Sequence, residues 1–363
     1  MTATLTNFNK YKPAQNNQQH MILFDDIGSY PLPKDVTRPW ISEAVKRNDP
    51  EFLNILRDAM LQKIEAGVDV PTYPQFQDMN QQFLDIINDE SKTEEPLLVR
   101  KDKARIVELE ALEEAGAEYY KKNDKKLNVR VCVTGPVELY MKQFGGTAYK
   151  DVLNALAASV DRFISNSIDN AKQFRIATVS IDEPSIGINP QIMFSEGDLV
   201  EALDKAAKTA ASHNIDTEIH LHSPLHYKPV CRVPSIGIIG VESAANPSYL
   251  DLIDKKDLDD YDKFLRVGVA RTDIYNMAAA LNEKYGTNVW KEPARLEEIV
   301  TGMETPQVIE KRLERTYGIF GERIKYAGPD CGLGSWPTQE LAFKLLRNTG
   351  TGIKEFLKRR KTG

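Results

Sequence analysis

The sequence predicts an α/β fold, a single (β/α)8 TIM barrel, on three observations. Eight apolar runs recur along the chain, each ending in Gly, Pro or polar residues. Segments of helical periodicity lie between them. The first run ends in Ile27-Gly28-Ser29-Tyr30-Pro31, which is not the Gly-rich phosphate turn that an open doubly wound sheet places after its first strand. Strand alternating with helix to a count of eight is the pattern of a closed parallel barrel.

The eight runs are 21–29, 67–74, 129–136, 175–184, 217–223, 235–242, 264–271 and 323–331. Most are rich in β-branched residues without strict alternation, as expected of parallel strands buried on both faces. Helical spacing is clearest at 151–174, 196–213, 305–320 and 339–358. The longest connection, 75–128, is charged and reads as a helical excursion after strand two. Residues 1–20, polar and rich in Asn and Gln, read as a mobile arm, leaving 21–363 as one barrel domain.

Bulk properties exclude several classes. The net charge is −6 and no Lys/Arg stripe is present, so a nucleic-acid partner is not expected. The basic cluster Lys358-Arg359-Arg360-Lys361 reads as a solvated end. No run of about eighteen apolar residues exists to span a membrane, and the first twenty residues lack the apolar stretch of a signal peptide. Three widely spaced cysteines, Cys132, Cys231 and Cys331, do not form a disulfide framework. The expectation is a reduced, cytoplasmic protein.

In a barrel the carboxyl ends of the strands carry the chemistry. Strand five ends in His220-Leu221-His222. Alternation puts both imidazoles on one face, and neutral imidazole is the commonest metal ligand. The competing reading is a pair of core or loop histidines. Strand six ends at Glu242, which could be a ligand, a base or a surface charge. Strand eight ends in Asp330-Cys331-Gly332, where Cys331 is unlike a buried structural cysteine. Cys132, mid-strand, and Cys231, in a loop, read as structural. Together His220, His222, Glu242 and Cys331 form a mixed N/O/S set that suits zinc. Asp330 could orient Cys331 or a ligand histidine. Strand four ends in Asp182-Glu183-Pro184: adjacent acids point to opposite sides, so one faces the mouth, where it could bind a substrate ammonium group or merely cap a helix.

With these residues in place, the chain resembles the catalytic domain of cobalamin-independent methionine synthase, more narrowly its short single-domain core forms. The resemblance covers nearly the whole chain after about residue 20 and rests on ordered motifs. They are Ile27-Gly28-Ser29-Tyr30-Pro31, Thr134-Gly135-Pro136-Val137, Ile181-Asp182-Glu183-Pro184, His220-Leu221-His222, Glu242-Ser243 and Pro329-Asp330-Cys331-Gly332-Leu333. The resemblance implies zinc held by His220, His222, Glu242 and Cys331, with His222 standing where the family has Cys. It implies that Ile27 and Ser29 contact the homocysteine carboxylate and that Asp182 holds its amino group. Three departures stand out. Tyr73 replaces a substrate-binding Glu, Lys142 replaces a Trp used against folate, and Asp273-Ile274-Tyr275 replaces an Asp-Ile-His segment whose His donates a proton. Asp273 and Tyr275 are therefore the candidate catalytic residues. Loss of the aromatic platform and the proton donor argues against methyltetrahydrofolate and for a methylcorrinoid, carried by a corrinoid protein partner.

The implied activity is zinc-dependent methyl transfer to a small-molecule thiol: homocysteine, or another thiol such as coenzyme M. Two other classes compete. A metal hydrolase would use a His-x-His pair to activate water, though usually on the first strand and without Cys331. A non-catalytic zinc subunit of a methyltransferase complex would need no proton donor.

Overall fold

The structure, a computed structural model, describes residues 21–362. The expected arm, residues 1–20, lies outside the described residues. The described residues form nine strands: β1 (Leu23–Phe24), β2 (Thr93–Glu95), β3 (Leu98–Val99), β4 (Leu127–Thr134), β5 (Phe174–Asp182), β6 (Asp216–Leu221), β7 (Ile238–Val241), β8 (Phe264–Ala270) and β9 (Ile324–Pro329). Seven of them form one curled parallel sheet in the order β1-β9-β8-β7-β6-β5-β4, with helices packed around it. Seven of the eight expected strands thus appear within a few residues of their predicted positions.

The second expected strand, 67–74, forms no ladder. It meets its neighbours through isolated bridges, Asp25 with Val70 and Thr72 with Arg130. Pro71 and Pro74 lack the N–H groups a regular ladder needs, which accounts for the sparse pairing. The contacts are nevertheless specific. Val70 donates its N–H to the Phe24 carbonyl, and Arg130 donates to the Pro71 carbonyl.

The helices follow the expected periodicity. Lys150–Asn170 buries Leu153, Leu156, Ala157, Val160, Phe163 and Ile164, a three-four spacing that faces the sheet. Glu196–Ser212 is capped by Ser195, whose Oγ accepts from the Asp198 N–H, with acids in the first turn where the helix dipole favours them. Pro306–Phe320 starts with Pro beside the Thr305 cap and stops at Gly321, φ 57°. The connection after 75 departs from the prediction. Besides the helices Gln81–Ile87 and Glu108–Asn123 it carries the antiparallel hairpin β2/β3. Cys231, expected in a loop, instead ends the short helix Tyr227–Cys231, and it is buried.

The interior of the curled sheet carries charge where aliphatic layers usually sit. Arg130 on β4 reaches Glu218 on β6 at 2.7 Å and lies 3.8 Å from Asp25, while Arg266 on β8 reaches Asp25 at 3.0 Å. All four side chains are fully buried. Glycines on neighbouring strands leave room for them. A Cβ on Gly240 would lie 2.8 Å from Glu218 Oε1, and one on Gly328 2.7 Å from Arg266 Nη2. Opposite charges in contact offset much of the cost of taking these groups out of water. Buried Lys63 does similar work beside the ring. Its Nζ lies 2.7 Å from Asp26 and donates to the carbonyls of Gly28 and Thr72, fixing the turn after β1.

Candidate metal centre

All seven parallel strands end on one rim, and the four expected ligands meet there. His220 lies near the end of β6 and His222 just past it, their rings 5.4 Å apart. His220 pairs in register with Gly240 on β7, which brings Glu242 alongside His222. Glu242 Oε1 is 3.6 Å from His220 Nε2 and 3.5 Å from His222 Nε2. Cys331 Sγ, from beyond β9, is 3.8 Å from His220 Nε2 and 3.7 Å from His222 Nε2. All four donor atoms fall within 4.8 Å of one another.

These separations test the fit of a metal. Zinc bonds of about 2.0–2.3 Å in tetrahedral array give donor-to-donor edges of about 3.3–3.6 Å. The cluster is therefore close to the required size before any ion is considered. Glu242 Oε1 and His220 Nδ1 are buried without a hydrogen-bond partner among the described residues. Burial lowers the pKa of His220, keeping it a neutral donor, with the nearby Asp182 charge pulling the other way. Burial also raises Glu242 and pushes the Cys331 thiol far up, the latter reinforced by the Glu242 charge. Both shifts disfavour the charged forms of these two groups, and a cation held between them would favour those forms instead. Two imidazoles, one carboxylate and one thiol form a donor set that zinc accepts. His226 is exposed and stands outside this group.

The rim is braced by Asp330. Its carboxylate accepts from the backbone N–H groups of Ala244 and Ala245 at 2.8 and 2.7 Å, tying the loop after Glu242 to the residue before Cys331. It crosses over Gly268 to do so: a Cβ there would lie 1.8 Å from Asp330 Oδ1. Asp330 thus acts on the Glu242 loop rather than on a histidine. Burial pushes its carboxyl up to about 7, although the two N–H bonds oppose the shift.

Of the adjacent acids, Glu183 is the cap. It is fully buried and accepts from the N–H groups of Val137 and Glu138 at the start of helix Pro136–Phe144. Asp182, slightly exposed, pairs in register with His220 and accepts from Ser180 Oγ at 2.7 Å. Ser29 sits against the Cys331 loop. Its Oγ accepts from the Gly334 N–H, and a Cβ on Gly332 would lie 1.9 Å from that oxygen. Ile27 is buried in the same turn.

Four residues singled out in the sequence are placed differently from the ligands. Tyr73 is fully buried, with its hydroxyl donating to the Cys132 carbonyl at 2.6 Å. Asp273 forms a two-pronged pair with Arg271 at 2.9 and 2.7 Å. Burial opposes its charge, but Arg271 outweighs burial and holds the carboxyl below its usual range. Tyr275 is 66% exposed and stands 5.5 Å from the Trp290 ring. Lys142 is exposed on the helix after β4.

Sequence reasoning missed Gln75, Arg130 and Ser180. Gln75 covers Gly28, where a Cβ would lie 2.2 Å from its Oε1, and donates to Tyr73 Oη. Arg130 donates to Ser180 Oγ. Arg130, a charge in the middle of an apolar run, and Ser180, two places before Asp182 and so on the same face of its strand, were the available signals.

Solved structures share this architecture. The backbone is similar to that of a B12-independent methionine synthase. That protein, from Shewanella sp. W3-18-1 and solved in complex with selenomethionine, matches with TM-score 0.61 and 12% identity over 94% of this chain and 100% of its own. A methyltransferase from Methanosarcina mazei matches with TM-score 0.52 and 12% identity over 92% and 94%. GH5_18 from Streptomyces cattleya, solved in complex with GlcNAc, also reaches TM-score 0.52, at 10% identity over 95% and 82%. One backbone solved with ligands as different as selenomethionine and GlcNAc means that the likeness speaks for the fold, and the site must speak for the chemistry. No protein-family profile and no curated protein matches the sequence.

Proposed function

We propose that this chain is a zinc-dependent methyltransferase that forms methionine by moving a methyl group to the sulfur of homocysteine. The observation that carries the reading is the convergence of His220, His222, Glu242 and Cys331 within 4.8 Å at the strand ends. The architecture we infer is a complete (β/α)8 barrel over 21–363, with segment 67–74 as its eighth stave. The named methionine synthase and methyltransferase neighbours are consistent with this reading.

His220, His222, Glu242 and Cys331 would hold the zinc. The ion, when bound, would supply a positive charge that favours thiolate over thiol. The protein's own groups do the rest. His220 stays uncharged in its buried position and so competes with no cation. Asp182 offers an acceptor to the substrate ammonium group. Ser29, fixed against Gly332 and Gly334, would meet the substrate carboxylate. The strand-end loops orient the sulfur and limit water. The sulfur then attacks the methyl carbon, the S–C bond forms, and the donor leaves with the bonding pair.

For the donor we favour a methylcorrinoid on a partner corrinoid protein. Cobalt departs as Co(I) and needs no proton, whereas methyltetrahydrofolate leaves as an amine and does. Tyr275 presents an exposed phenol where the family has imidazole. The protein would act in the cytoplasm on a small-molecule thiol, with neither nucleic acid nor membrane as partner. Among the described residues, no helix is long and apolar enough to cross a membrane. Cys331, in contact range of both histidines, speaks against the hydrolase reading.

The test supplies zinc-loaded protein with homocysteine and either methylcobalamin or methyltetrahydrofolate. Methionine and cob(I)alamin from the first mixture alone are expected. Methionine from folate would overturn the donor assignment. Methionine from neither, with zinc bound, would move the acceptor to another thiol such as coenzyme M or make the carrier protein obligatory.

A further inference from the structure

We infer that Arg130 and Ser180 are positioning residues that hold Asp182 as a fixed acceptor, so that the site selects thiols bearing an amino group. The inference rests on the proposed thiol-binding role of the site.

A continuous hydrogen-bonded chain runs from the core to the rim. Arg130 Nη2 donates to Glu218 Oε1 and to Ser180 Oγ, both at 2.7 Å. Arg130 Nη1 donates to the Asp26 carbonyl at 2.9 Å. Ser180 Oγ lies 2.7 Å from Asp182 Oδ1. Arg130, Ser180 and Glu218 are fully buried, whereas Asp182 is 7% exposed. Ser180 and Asp182, two apart on β5, share one face of the strand.

The direction of this chain is dictated by chemistry. A guanidinium donates and cannot accept. Ser180 Oγ must therefore accept from Arg130. A serine hydroxyl has a single proton, and Asp182 is the partner left to receive it. Asp182 Oδ1 is accordingly an acceptor. Glu218 balances the Arg130 charge, so the guanidinium is held in place without drawing Asp182 into a direct ion pair.

One oxygen of Asp182 is thereby anchored, and the plane of the carboxylate is set next to the His220 strand, its register partner. A carboxylate fixed in this way recognises a cationic donor at a set position relative to the metal ligands. A thiol lacking the amino group gains nothing from it. The device is a specificity element distinct from the metal ligands themselves.

The test uses the full chain loaded with Co2+ in place of zinc, so that thiol binding is read from the thiolate-to-cobalt absorption band without turnover. Homocysteine is compared with 4-mercaptobutanoate, the same thiol without its amino group. Wild type should bind homocysteine about tenfold more tightly. Ser180→Ala should erase most of that preference by weakening homocysteine alone, and Ser180→Thr, which keeps the hydroxyl, should restore it. An unchanged cobalt ligand-field spectrum in the variants checks that the site is intact. Equal weakening of both thiols, or none for either, would overturn the inference while leaving the methyl-acceptor reading standing. No band with either thiol on wild type would remove that reading, and this inference with it.

Discussion

The carboxylate of Asp330 lies 2.7 Å from the backbone nitrogen of Ala245, and this bond joins the loops that deliver Glu242 and Cys331. Two ligands separated by 89 positions in sequence are thus tied through one side chain. Asp330→Asn preserves size but turns one acceptor oxygen into a donor facing an N–H. We expect zinc affinity to fall about 10–100-fold, as is usual when a group that orients ligands is lost. Competition against a chromophoric chelator measures it; unchanged affinity would mean the loops hold their shape without the bridge.

His222 gives a testable difference from the thiolate-richer site of the resembled family. His222→Cys would add a second thiolate, which binds zinc more strongly and reduces its residual positive charge. We expect tighter zinc retention against chelator and a thiol substrate that ionises at higher pH on the variant. The pH midpoint of thiol binding, followed by proton release, decides it. A midpoint that moves down would contradict this account of the ligand.

The approach of Gly332 to Ser29 predicts a steric effect. A Cβ at position 332 would lie 1.9 Å from Ser29 Oγ and cannot be accommodated in place. Gly332→Ala should cost about 1–3 kcal/mol of stability and raise the KM for homocysteine more than it lowers kcat, because it displaces Ser29, the residue proposed to meet the substrate carboxylate. Urea melts and steady-state kinetics measure the two effects separately.

Glu108 supplies a pH dependence away from the metal centre. It is fully buried, accepts from Gln77 Nε2, and desolvation raises its carboxyl from an ordinary 4.5 to about 7. Between these values the folded state binds more protons than the unfolded state, so stability falls as pH rises through this window and levels off above it. The carboxyl's contribution is greatest below about pH 4.5 and lost by about pH 7, an effect on the order of 3 kcal/mol at most. Glu108→Gln should flatten that slope. Denaturant midpoints measured for both proteins from pH 5 to pH 8 check it; parallel curves would refute the assignment.

What the sequence by itself determined is the alternation of buried runs and amphipathic helices, together with the residues placed at the run ends. His220, His222, Glu242 and Cys331 were legible because parallel strands must present their carboxyl ends on one rim, and alternation fixes which side chains share a face. Asp182 was legible for the same reason, though its neighbour Glu183, not Asp182, proved to be the helix cap. Segment 67–74 was expected as a strand, but its two prolines leave it only isolated bridges. The hairpin inside the 75–128 excursion escaped because strands as short as β2 and β3 carry almost no periodic signal. Only the tertiary structure decided the network beneath the rim. Arg130, Ser180, Glu218 and Arg266 lie far apart in sequence, and their pairing depends on strand register and on the gaps left by Gly240 and Gly328. Burial is what gives such contacts their meaning, since a charge in water needs no partner and one in the core does.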